Sequence, residues 1–270
     1  MKTIDFFKKL SIFSTNHTLK RFGNDSDGGY VAPKEVVNNL DYLISIGVED
    51  NISFELDLMS INKNLQTVIV DGTIENFTTP DKVTFINKNL ALENDDNNIT
   101  LEEILSDIDS ENIALQIDIE FDEWDIFNCL PEEILKKFKL IIIELHFVFI
   151  DEEALLRSQN LTPYFHGFYS KTYKDINKML LKKYNNVLSK FLVDFSIIHL
   201  HANNSLKLIN YEGINIPPLL EVTFLNNSEI KKSDLYSGEL PISNLDLPNK
   251  KDRDDLFNFY PFRVKIWLTQ

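Results

Sequence analysis

The chain has 270 residues, 42 acidic against 27 basic, giving a formal net charge of −15 and a pI of about 4.7. That balance repels polyanions, so nucleic acid and anionic membrane surfaces are excluded as expected partners. Hydrophobic residues at 43% and aromatic residues at 11% support a substantial core, and a single cysteine excludes an internal disulfide framework or a cysteine-rich metal site.

The opening segment MKTIDFFKKLSIF is amphipathic and interrupted by charge, with no long apolar stretch, so it does not read as a signal peptide. Next comes Arg21-Phe22-Gly23-Asn24-Asp25-Ser26-Asp27-Gly28-Gly29-Tyr30-Val31, which holds three of the chain's eight glycines. Asp27 to Tyr30 allows a tight turn with close backbone approach to a ligand, Tyr30 then opening a short strand; a plain hairpin turn reads equally well.

Tyr42–Ile46 is a buried strand that breaks at Gly47, and a helix starts near Asn51 with Phe54, Leu56 or Leu58, and Ile61 on its apolar face. A strand that ends on glycine and re-enters as a helix aims free N–H groups into a crevice at the sheet's carboxyl edge. Gln66–Val70 is the second strand and ends on Asp71, where a ribose hydroxyl pair would be held. Glu49 stands where a dinucleotide fingerprint would place its second glycine, and no phosphate-binding G-x-x-x-x-G-K-[ST] occurs, which weakens NAD and triphosphate readings.

Further along, Lys82–Ile86 is a short third strand, Asn94–Asn98 an exposed loop, and Thr100 to Glu103 a capping box opening a helix to about Asp109. Ile113–Ile119 is the fourth strand. Glu123–Lys137 is a helix that Pro131 divides, with Cys129 on its apolar face in a structural role. The almost uninterrupted apolar run in Leu140–Phe147 predicts a central fifth strand, too short even when extended to Ile150 to cross a bilayer. Lys171–Lys190 is a long amphipathic helix. Phe195–His201 and Leu219–Leu225 follow as an antiparallel pair, with Glu221 read as a site acid or an edge residue facing water. The expected fold is therefore α/β and Rossmann-like, on the strand plan of class I methyltransferases: a seven-stranded, mostly parallel sheet with an antiparallel last strand. It forms one domain over 1–270, with 1–40 an N-terminal extension and 227–270 a C-terminal tail.

Residues two apart in a strand share a side, so Asp118 with Glu120, Glu144 with His146, and His199 with His201 form three pairs of ionisable groups at strand ends. Such groups inside apolar strands are costly unless paired or used, and three pairs at one edge point to a site. No dense ligand motif such as H-E-x-x-H is present, so a metal-free site is expected. A divalent ion such as Mg²⁺ on Asp118, Glu144, His146 and His201 is the alternative.

In this order of motifs the chain resembles the FkbM-like group of S-adenosylmethionine-dependent methyltransferases. The motifs are Arg21-x-Gly23 with Asp27-Gly28-Gly29-Tyr30; Ser45-Ile46-Gly47-Val48-Glu49-Asp50-Asn51-Ile52-Ser53-Phe54-Glu55; Asp71-Gly72-Thr73-Ile74; Gln116-Ile117-Asp118-Ile119-Glu120 with Glu123-Trp124; Glu144-Leu145-His146; and His199-Leu200-His201-Ala202-Asn203-Asn204. The resemblance spans roughly residues 20–226 and departs at Phe121, where the family commonly has glycine. It implies S-adenosylmethionine as cofactor. Ser45, Gly47 and Glu49 would line its methionine and ribose, Asp71 would take the ribose hydroxyls, and Asp118 would lie near the amino-acid end. It also implies O-methylation of a small-molecule acceptor, a sugar or nucleotide sugar destined for a surface glycan, in a cytoplasmic enzyme that could form a homo-oligomer. His146 and Glu144 would then face the acceptor, with His146 as base, Glu144 holding its tautomer, and His199 and His201 as rivals; Asp27, Tyr30, Glu120 and Asn203 complete the substrate side. The other classes are an NAD(P)-type oxidoreductase on the same half-fold and a catalytically inactive binding module.

Overall fold

The structure is a computed structural model that describes residues 2–149, 173–230, 234–257 and 259. Seven strands form the central sheet: β1 (Tyr42–Ile46), β2 (Gln66–Val70), β3 (Val83–Ile86), β4 (Ile113–Ile117), β5 (Phe138–His146), β6 (Phe195–Ala202) and β7 (Leu219–Asn226). Their order across the sheet is β6-β7-β5-β4-β1-β2-β3. The pairs from β3 to β5 are parallel, whereas β7 runs antiparallel to both β5 and β6. This is the expected Rossmann-like sheet. The last strand inserts between the fifth and sixth because only a loop and a small hairpin (Ile209–Tyr211 with Ile214–Ile216) separate β6 from β7, too short for a parallel crossover.

Period-two alternation sends each strand's apolar residues to two cores. Leu115, Ile117, Ile141, Ile143 and Leu145 pack with helices α2 (Leu101–Ser106), α3 (Glu123–Cys129) and α4 (Tyr173–Asp194). Ala114, Leu140 and Ile142 face the other way. There they meet helix α1 (Ser53–Ile61) and an N-terminal ribbon, Leu19–Gly23 paired with Gly29–Pro33. Phe6 and Phe7, on a short N-terminal helix (Thr3–Phe7), are fully buried in the first core, edge-on or tilted against Phe147. Among the described residues no helix is long and apolar enough to cross a membrane.

Several local expectations shift. Leu58 rather than Leu56 joins the core; Leu56 is 45% exposed. Thr100 caps α2 as expected, accepting from the Glu103 N–H at 3.2 Å, but the helix stops at Ser106. β4 ends at Ile117, two residues early, because Glu120 and Phe121 adopt positive φ angles of 49° and 79° that turn the chain away. The helix expected over Glu123–Lys137 is cut at Leu130, and Pro131 then opens a separate short turn of helix, Glu132–Leu135. With α3 ending at Cys129, that thiol is exposed instead of lying on a packed face. The first two residues of the helix expected over Lys171–Lys190 lie outside the described residues.

Candidate active site

The carboxyl ends of β1, β2, β4 and β5 open into a cleft of about 770 Å³. Gly47 sets its floor. Its φ is +75°, and a Cβ there would stand 1.8 Å from the Asp118 carbonyl oxygen, so the tips of β1 and β4 meet at a point that admits no side chain. Beyond it, Glu49 turns with φ +51° and its N–H donates to Asp71 Oδ2 at 2.8 Å. Asp71 Oδ1 accepts from both the N–H and the hydroxyl of Thr73, at 2.8 and 2.6 Å. The tip of β2 thus presents a carboxylate fixed in orientation beside the glycine turn, and Gly47, Glu49 and Asp71 all line the cleft.

Ser45 does not line it. The side chain is fully buried one layer down, with its Oγ between Glu55 Oε1 and Gln116 Oε1, the latter at 2.6 Å. One hydroxyl proton serves one of these acceptors, so the second bond comes from a protonated Glu55 carboxyl or from the Gln116 amide turned to present its NH₂. Burial pushes the Glu55 carboxyl up to about 7, against the lowering effect of the Ser45 contact. Glu55 and Gln116, rather than Ser45, reach the cleft.

The opposite wall is built on β4 and β5. Burial pushes Asp118 up to about 6 and Glu144 well above the carboxylate range, with the contact between the two carboxyls lowering Asp118 and raising Glu144 further. The Asn203 amide donates to Glu144 Oε1 at 2.7 Å. Glu144 therefore does not hold His146. That role falls to Glu123, the first residue of α3, whose Oε1 accepts from the His146 backbone N–H at 2.7 Å and from Nδ1–H at 3.2 Å. A carboxylate only accepts, so Nδ1 carries the proton and Nε2 faces the cleft. There Nε2 stands 3.4 Å from Glu120 Oε2 and 3.9 Å from Asp118 Oδ1. Burial alone would lower the imidazole pKa; the Glu123 hydrogen bond and the charges of Glu123, Asp118 and Glu120 outweigh it and raise the value.

The N-terminal ribbon supplies the rim. Asp27 and Tyr30 line the cleft; Tyr30 packs edge-on to Phe54, and burial raises its phenol pKa. Phe121 lies over His146 with ring centroids 4.9 Å apart. It holds a left-handed conformation that glycine adopts without cost and a bulky residue does not.

His199 and His201 are not brought to the cleft. His199 Nε2 meets Asp246 Oδ1 at 2.7 Å, and His201 is gripped by Glu221 at Nδ1 and Asp255 at Nε2, both at 3.1 Å. Both imidazoles are buried beneath the C-terminal segment, which corrects their expected place as rival bases. Glu221, read as a possible edge residue, is buried on β7 and also accepts from Asn249 at 2.6 Å. The same asparagine amide reaches Asp27 at 3.2 Å, and its neighbour Lys250 lines the cleft. Asn249 and Lys250 were not singled out from sequence, and Glu55 and Glu123 stood there only inside the motifs of the resemblance, without a role.

A sheet in this order, with the last strand antiparallel between the fifth and sixth, is the Rossmann-like plan of class I methyltransferases. No known family matches the chain by its sequence, and no curated protein matches it. Solved structures give loose similarities. One is a Staphylococcus aureus protein provisionally assigned as a caffeoyl-CoA O-methyltransferase, at 13% identity over 72% of this chain and 80% of that one, TM-score 0.32. Another is the 16S rRNA (adenine(1408)-N(1))-methyltransferase from Catenulisporales acidiphilia, at 8% identity over 76% and 97%, TM-score 0.30. A third is the plantazolicin methyltransferase BpumL in complex with SAH, at 12% identity over 69% and 76%, TM-score 0.25. Alignments this loose establish no relationship, and the strand order stands by itself.

Proposed function

We propose that the chain is an S-adenosylmethionine-dependent methyltransferase acting on a hydroxyl of a small acceptor, in keeping with its motif resemblance to the FkbM-like group. The observation that carries this reading is the meeting, in one cleft, of a fixed carboxylate beside a glycine turn and an oriented imidazole on the facing wall. Its 770 Å³ falls in the range for a cofactor and a small partner. Asp71 would hold the cofactor's ribose, Gly47 would let its backbone approach the cofactor closely, and the acceptor hydroxyl would lie against the cluster of His146, Asp118 and Glu120. The cofactor would supply a sulfonium methyl for in-line attack by that oxygen, the carbon–sulfur electron pair staying on the sulfur. The hydroxyl proton leaves into the cluster.

The lining also narrows the acceptor. Among the described residues Asp27, Glu49, Asp50, Asp71, Asp118 and Glu120 face the cleft with Lys88 and Lys250 as the lysines that line it, a balance that favours a neutral sugar over a nucleotide sugar with its diphosphate. The same charges oppose a dinucleotide pyrophosphate at the glycine turn, so nothing favours the oxidoreductase.

The test is methyl transfer from labelled S-adenosylmethionine to a panel of neutral and nucleotide-linked sugars, alongside calorimetry with S-adenosylhomocysteine. Cofactor binding with transfer to a neutral sugar supports the reading. Binding without transfer to any acceptor favours an inactive module, and no binding at all removes the cofactor.

A further inference from the structure

The wall that faces the acceptor holds more ligand atoms than a lone imidazole needs. Among the described residues, Asp118, Glu120 and His146 each offer one possible metal-ligand atom, and these atoms all lie within 4.8 Å of one another. We propose that Asp118, Glu120 and His146 form a binding site for a divalent cation of the Mg²⁺ or Mn²⁺ class.

Adjacent ligands of a six-coordinate Mg²⁺ or Mn²⁺ stand about 3 Å apart, given metal–oxygen distances of about 2.1 Å. Nε2 lies 3.4 Å from Glu120 Oε2 and 3.9 Å from Asp118 Oδ1, so small side-chain rotations close the shell. A second observation points to a ligand independently. Asp118 Oδ1 is a buried atom with no hydrogen-bond partner among the described residues, and it is aimed at Nε2. Such an orphan acceptor costs on the order of 1–3 kcal/mol unless something fills the gap.

The third support lies behind the imidazole. Glu123, fully buried, accepts Nδ1–H and so leaves the Nε2 lone pair free toward the two carboxylates. Nε2 then faces two carboxylates, an arrangement that either a proton on Nε2 or a cation between them relieves. A carboxylate bound to the far nitrogen of a metal-ligating histidine is also the usual outer arrangement of such sites. Among the described residues neither Asp118 nor Glu120 has a lysine or arginine as its ion-pair partner. Oxygen ligands with one imidazole suit Mg²⁺ or Mn²⁺ and leave positions for water or a substrate oxygen.

The site stands on this geometry alone. Its use rests on the methyl-transfer reading: an acceptor hydroxyl held at the cation would lose its proton more readily, to solvent, while the oxygen keeps its electron pair.

The experiment is titration of the full chain with Mn²⁺ by calorimetry and by loss of the free-ion paramagnetic resonance signal, with neither cofactor nor acceptor present. One saturable Mn²⁺ per chain is expected, weakened at least tenfold in Asp118→Asn and in Glu120→Gln. Glu123→Gln should weaken it by roughly tenfold or more through the lost orientation of His146. Glu120 is 74% exposed, so its substitution leaves the fold intact and keeps the test valid if Asp118→Asn misfolds. Absence of saturable binding, or equal affinity in folded Glu120→Gln, overturns the site. Saturable binding that these variants weaken, in a protein that transfers no methyl group, would uphold the site and sink the function instead.

Discussion

A carboxylate offers about four lone-pair directions, and at Asp71 three are taken by the N–H of Glu49 and the N–H and hydroxyl of Thr73. The remaining capacity points into the cleft from a side chain that cannot swing away. Asp71→Ala should therefore weaken S-adenosylhomocysteine about tenfold or more, since a hydrogen bond to a charged group is worth about 1.5–3 kcal/mol; calorimetry showing unchanged affinity in the folded variant would remove the cofactor placement. His146→Ala should bind the same ligand normally yet slow methyl transfer by about a hundredfold, whether the imidazole takes the proton or holds a cation. Near-full turnover in that variant would move the chemistry elsewhere. Gly47 and Asp71 were legible because each follows from a local pattern, an apolar strand ending on a turn or an acid. Glu123 was not, because an acid in the first turn of a helix is ordinary and only the fold brings it behind His146. Ser45 was misplaced for a related reason: alternation says which side of a strand a residue takes, but not that Glu55 from α1 and Gln116 from β4 would close over it.

At the scale of elements, the seven strands were readable because apolar runs bounded by turns recur at the spacing of a βα repeat. The C-terminal segment was not, because its partners lie 47 and 54 residues away in sequence, where no periodicity speaks. That segment is tied to β6 and β7 through charge. His201 meets a carboxylate at each ring nitrogen, so both nitrogens carry protons and the imidazole is a cation, with its pKa raised to about 10: burial opposes the charge, but Asp255 and Glu221 prevail. In the unfolded chain the value returns to about 6.5. The folded state thus binds the proton more tightly, and this contribution to stability is complete below pH 6.5 and is lost as pH rises toward 10. Glu55, held near 7, has its own window below neutrality, but Glu144 and His146 are also raised, so the His201 share of any decline between pH 7.5 and 9.5 is read from the difference between the wild-type and His201→Gln slopes. The thermal midpoint should fall across that interval, and His201→Gln should start lower and fall less. An equal slope in both proteins would show that the tie carries no linkage.

For the whole molecule, the net charge of −15 is not spread evenly: the cleft gathers carboxylates from β1, β2, β4 and β5 along one edge, because a parallel sheet collects the ends of its strands there. Helix termini and backbone N–H groups at that edge would ordinarily favour anions, and the side chains reverse the preference. Such a field distinguishes the two forms of the proposed cofactor. S-adenosylmethionine carries a sulfonium charge that S-adenosylhomocysteine lacks, while the rest of the two molecules is the same. One unit charge about 4 Å from one carboxylate gains about 1 kcal/mol even at the dielectric of water, and unlike the ribose contact it is weakened by salt. The Debye length shrinks from about 10 Å at 0.1 M to about 3 Å at 1 M. The sulfonium form should therefore bind about fivefold more tightly than the thioether at low ionic strength, with the ratio falling toward unity in 1 M salt as both are measured by calorimetry. A ratio independent of salt would mean that the acids lining the cleft stand too far from the sulfur, and the sulfonium would then have to be placed away from the Asp118 wall.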